Sequence, residues 1–153
     1  MVSAKPFERV VAALEGAVGH PDVAAFARDL AASKNYAEVE QVTRAALGRS
    51  GFMEFARFDL GVVLAKARGP DAPKSLRLVV GNPLIMQAMV RHVPDAGSYA
   101  PVTLLIDERA DGVHLSYDEM ASLIESYGNA EALHVAQDLD AKVRALLAEA
   151  AEP

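Results

Sequence analysis

Three polar residues stand where apolar runs give way to helix-like segments: Asp59 after "EFARF", Asn82 after "LRLVVG" and Asp118 after "VHLSY". Paired carboxylates can serve as general acid and base, provided both reach the same reacting group. If the preceding strands lie side by side and point the same way, the three side chains rim one end of a sheet. Open sheets bind ligands there. Asp and Asn are also favoured helix N-caps, because a side-chain oxygen accepts an orphan N–H of the first turn. Capping alone explains all three positions.

Gly81-Asn82-Pro83 gives the local case in full. Gly81 lets the backbone turn out of the strand, Asn82 caps, and Pro83 sits where its missing N–H costs nothing. The functional alternative is an anion cradle built from the free N–H groups. Pro83 removes one such donor, and no Gly-rich loop or lysine precedes the helix. Phosphate-loop and dinucleotide fingerprints are therefore unmet.

The other chemistry-bearing residues are scattered. His20, His92, His114 and His134 form no i, i+4 pair and no other metal-ligand spacing. His114 alternates with Val113 and Leu115, so it faces away from them, as a surface residue or as a base near Tyr117. Ser98, Ser116 and Ser122 lack a G-x-S-x-G setting. Tyr99 and Tyr117 sit at junctions near Pro101 and Asp118, where a phenol can line a pocket and donate a hydrogen bond. Met86 and Met89 suit either a core or a pliable binding groove.

Periodicity supplies the elements that must position these residues. Helical spacing predicts helices in "PFERVVAALEGAVG", "PDVAAFARDLAAS" and "YAEVEQVTRAALG". Pro21 is placed in a first turn and Gly48 in a left-handed C-terminal cap. The second helix is expected to bury Val23, Phe26, Ala27 and Leu30; the third, Val39, Val42, Ala46 and Leu47. Strands are predicted in "GFMEFARFDLG" and "SLRLVVG", and a hairpin in "VTLLIDERADGVHLSY". Further helices follow Asp59, Pro83, Asp118 and Asn129, the last running through "NAEALHVAQDLDAKVRALLAEA". "GPDAPKS" and "PDAGSYAP" read as loops. The order predicts one α+β domain over residues 1–153: a helical N-terminal part (1–50) and a core (51–150). In that core a small, largely antiparallel four-stranded sheet packs against helices.

Composition bounds the function. The chain has 153 residues, enough for one domain with a substantial core. It is 52% hydrophobic but only 6% aromatic, which favours close-packed helices over an aromatic binding face. A net charge of −6 gives no footprint for a phosphate backbone, so nucleic acid is not an expected partner. The absence of cysteine excludes disulfides, thiolate metal sites and a cysteine nucleophile. The apolar start is broken by Glu8, Arg9 and Glu15, and no run reaches membrane-spanning length. The expectation is a cytoplasmic protein with no metal, no cofactor and no membrane contact.

In their order and spacing, "FARFDLG", "LRLVVGNPLIMQAMVRHVPDAGSYAPVTLLIDE" and "DGVHLSYDEM" resemble the family known as domain of unknown function 302 (DUF302). The resemblance covers residues 51–150. Phe7 to Leu14 resembles the family's opening helix, with residues 15–36 as an insertion. The resemblance implies an α+β fold, commonly a homodimer, and no established reaction. Members often carry Asp-His, Leu-Pro and Asp-Pro where this chain has Asp59-Leu60, Ala100-Pro101 and Asp118-Glu119. The missing histidine argues against inherited catalysis or metal binding. The reading is a non-catalytic homodimeric module that binds a small molecule or a protein through a cleft near Asn82, Tyr99 and Tyr117. Asp59, Asp118 and His114 are further candidates for that site. Two alternatives stand beside it: an enzyme using Asp59 or Asp118, with His114, for proton transfer, and a structural dimer without a ligand.

Overall fold

Leu76, Leu78 and Val80 are buried while Arg77 and Val79 between them are not, the two-residue period of a strand covered on one face. That strand lies at the middle of a longer order. In the computed structural model, which describes residues 1–152, the chain runs β1 (Val2–Ser3), α1 (Phe7–Ala17), α2 (Val23–Ala32) and α3 (Tyr36–Ala46). It continues through β2 (Met53–Asp59), α4 (Leu60–Arg68), β3 (Ser75–Gly81) and α5 (Pro83–Val90). A 3-10 turn (Pro94–Ser98) leads to β4 (Val102–Arg109), β5 (Gly112–Tyr117), α6 (Met120–Ile124) and α7 (Ala130–Ala151).

The sheet has five strands in the order β1-β5-β4-β3-β2, every neighbouring pair antiparallel. The expected four strands are all present. The fifth, β1, is a dipeptide pairing with Val113 and His114, too short for alternation to announce it. α7 buries Ala132, Ala136, Leu139, Val143, Leu146 and Ala150, the face its spacing predicts, and packs against α1, α5 and α6. Together with Leu78, Val80, Leu104, Ile106 and Leu115 these residues form the hydrophobic core. No helix among the described residues is long and apolar enough to cross a membrane.

The N-terminal helices depart from expectation at their joints. Gly48 is not a left-handed cap: α3 ends at Ala46, and Leu47 is already extended. Gly48 is needed because the chain crosses itself there. A Cβ on Gly48 would lie 2.3 Å from the Ala17 carbonyl oxygen, and one on Gly19 would lie 2.0 Å from that of Ala46. The N–H groups of Gly19 and Gly48 both donate to the Phe52 carbonyl at 2.9 Å. Residues 20–47 thus leave and rejoin the body through a two-glycine neck, with α2 and α3 packed on each other.

That placement explains the exposure of this hairpin. In α2 only Phe26 is buried, while Val23 and Ala27 are exposed; in α3 only Thr43 is buried, with Val39, Val42, Ala46 and Leu47 half-covered. A peripheral hairpin has no second layer to cover its outer face. Pro21 precedes α2 rather than occupying its first turn, and Asp22 caps the helix by accepting the Ala25 N–H at 2.8 Å.

Candidate functional site

Antiparallel pairing separates the strand-end residues. β3 and β5 point the same way with β4 between them, whereas β2 runs oppositely. Asn82 and Asp118 therefore leave the sheet at one end and Asp59 at the other. Asp59 aligns across the sheet with Leu76, Ile106 and Leu115. Three strand spacings, about 14 Å, thus divide it from the part of β5 that carries His114.

Each of these residues has a local partner or none. Asp59 is exposed and accepts the Val62 N–H at 3.2 Å, capping α4. His114, half-buried on the face opposite the core, has its ring nitrogen 2.8 Å from the Asp111 carboxylate. The exposed Asp118 caps nothing among the described residues, and α6 begins after Glu119. Tyr99 meets Tyr127 hydroxyl to hydroxyl at 3.1 Å, and this contact, before burial, pushes the Tyr127 phenol up to about 12.

The true cap of α6 comes from α7. The buried carboxylate of Asp140 accepts the N–H groups of Met120 and Ala121 at 2.8 and 3.0 Å, and the Tyr117 hydroxyl at 2.7 Å. Burial first, then the neighbouring carboxylate, raises the Tyr117 pKa well above the ordinary phenol range. Both groups are committed to joining two helices and a strand. Their signal in the sequence was a charge on an apolar stripe, since Asp140 lies four residues after Ala136 and three before Val143.

The sheet end that carries Asn82 also holds a cavity of about 260 Å³. Phe26 and Leu30 of α2 roof it, Phe55 of β2 forms one wall, and Ile85, Met86 and Met89 of α5 form another. Leu139 and the segments Gly81–Pro83 and Ala100–Val102 complete it. Gly81 permits the closeness of its walls: a Cβ there would stand 3.0 Å from Pro101 and 3.4 Å from Phe55. Phe26 meets Phe55 edge to face, with ring centroids 6.5 Å apart.

Among the described residues, Asn82 is the sole lining residue with a polar side chain. Its Oδ1 accepts the Leu84 N–H at 2.9 Å and its Nδ2 donates to the Gly51 carbonyl at 3.0 Å. The described residues thus give the cavity no charge and no nucleophile. Neither Tyr117, Asp118, Asp59 nor His114 lines it, and Tyr99 is represented only through its neighbour Ala100. Asp59 instead borders a hollow between α1 and α4, where Arg57 is held by Glu54 and Glu15, and Lys74 by Glu8. Among the described residues no group of three or more His, Cys, Asp or Glu is arranged to hold a metal ion. Of the cavity residues, Asn82 was legible as a binding candidate and Met86 and Met89 as pliable groove candidates. Phe26, Leu30 and Phe55 were not, because only the tertiary fold brings the hairpin over α5.

Sheet order and cavity together define an antiparallel α+β domain with an apolar hollow at one end of its sheet. The chain belongs to the family described as Domain of unknown function DUF302, whose model matches residues 26–150. A crystal structure described as that of an uncharacterized conserved protein DUF302 from Bacillus stearothermophilus has a similar fold, with a TM-score of 0.67 at 13% identity. The likeness covers 98% of this chain and 94% of that one. Among curated proteins none matches the chain.

Proposed function

We propose that the protein is a non-catalytic module that binds a small molecule in the cavity beside Asn82. The observation that carries this reading is an apolar hollow of about 260 Å³ at a sheet end, close to the size range of ligand pockets. Of the cleft expected near Asn82, Tyr99 and Tyr117, Asn82 stays in the proposed site, which shifts from the tyrosines to the space beneath Phe26 and Leu30. The enzyme alternative loses support, because Asp59 leaves the opposite sheet end from Asp118 and lies about 14 Å from the His114 region. A general base must stand within about 3 Å of its proton.

A thermal-shift screen of small neutral compounds tests the reading, with Leu30→Trp as a control that fills the cavity from its half-exposed roof. A ligand at 100 times its Kd stabilises by about 2.7 kcal/mol, which raises the melting midpoint by several degrees. The expected result is stabilisation of the natural chain and none of the variant. Compounds that shift both proteins equally, or no shift across the screen, would contradict it.

The proposal includes a homodimer in the cytoplasm. Phe58, Leu60, Val62 and Val63, exposed and close in sequence along the β2–α4 junction, support an interaction surface.

A further inference from the structure

The lining of the cavity restricts what can occupy it. Among the described residues no lysine, arginine, histidine or carboxylate lines the space, so a charged group brought inside would lose part of its hydration without gaining a counter-ion. Asn82 is the one polar side chain, and both ends of its amide are already engaged, by Leu84 and Gly51. The amide keeps one spare N–H and one spare lone pair, enough for a single hydroxyl or carbonyl on a ligand. Size narrows the range further. Apolar cavities of roughly 150 Å³ stay dry and accept benzene, so about 260 Å³ suits a body of two fused rings or its saturated equivalent.

The walls add a preference for rings. Phe26 and Phe55 present an edge-to-face pair, a geometry that a third ring can extend. Met86 and Met89 offer polarisable thioethers, which pack favourably against aromatic edges and adapt to shape. We infer that the cavity selects an uncharged, compact two-ring hydrocarbon body carrying at most one hydroxyl or carbonyl, which it places at Asn82. This deepens the small-molecule reading and rests on it.

The test uses full-length protein with [methyl-13C]methionine and two probes of one shape, 2-naphthol and 2-naphthoate, at neutral pH. With 2-naphthol the Met86 and Met89 methyl signals should move while that of Met120, buried outside the cavity, stays. 2-Naphthoate should bind at least about tenfold more weakly. Met86→Lys supplies the missing counter-ion and should reverse the preference. Leu30→Trp should abolish the shift of Met89 with either probe and guards against a Met86→Lys variant that fails to fold. Equal binding of the two probes, or a folded Met86→Lys protein with unchanged preference, overturns the inference about ligand class and leaves the cavity as a binding site. If neither probe moves Met86 or Met89, the inference about ligand class falls, and a blank thermal-shift screen as well would take the small-molecule reading with it.

Discussion

Asp140 of α7 carries three hydrogen bonds while only 1% exposed, and its partners lie in two other elements, β5 and α6. Asp140→Ala would strand the N–H groups of Met120 and Ala121 and the Tyr117 hydroxyl. Each buried orphan costs about 1–3 kcal/mol, so urea denaturation should register a loss of about 3 kcal/mol or more. Asp140→Asn keeps one acceptor oxygen and should lose less. Tyr117 adds a pH dependence with a definite sign. Its native pKa lies above the unfolded value of about 10, so its contribution is intact below that pH and fades as pH rises toward the native value. Tyr117→Phe should therefore lose less stability than the natural chain when denaturation is repeated between about pH 10 and 12. At this scale the caps at Asp59, Asn82 and Asn129 were legible, because capping depends on a few neighbouring residues. The role of Asp140 was not legible, since its partners lie in other elements and its only local signal is a charge on the buried stripe.

The elements differ in how firmly they are held. α7 presents a long buried face to the core, whereas α2 and α3 each bury a single residue fully and return to the body at the Gly19/Gly48 crossing. Gly48→Ala places a methyl against the backbone of Ala17, Val18 and Gly19, none of which is a flexible side-chain tip. Overpacking of this kind costs about 3 kcal/mol, which thermal or chemical denaturation should detect. The helices and strands of residues 51–150 followed from period and turn chemistry. β1 did not, because two residues carry no period, and Gly48 looked like a cap because any glycine after a helix does. Close approach of two backbones is invisible to local pattern.

The whole molecule is built on a single antiparallel sheet whose two ends carry different features: Asn82 and the cavity at one, Asp59 and the α4 junction at the other. An alternating strand direction cannot be read from cap residues alone, so Asp59, Asn82 and Asp118 looked like one rim and are not. The separation also divides the proposed functions, with ligand at the Asn82 end and self-association at the β2–α4 end. Val63 is 68% exposed, so Val63→Asp should leave the fold intact. Light scattering should find a dimer for the natural chain and a shift toward monomer for the variant. The central claim is that the cavity beneath Phe26 and Leu30 is a ligand site, and a crystal structure of the protein grown with 2-naphthol tests it most directly. The predicted result is a ring system between Phe26, Phe55, Met86 and Met89 with its hydroxyl toward Asn82; a well-ordered protein whose cavity is closed by its own side chains, with naphthol elsewhere or absent, would contradict it.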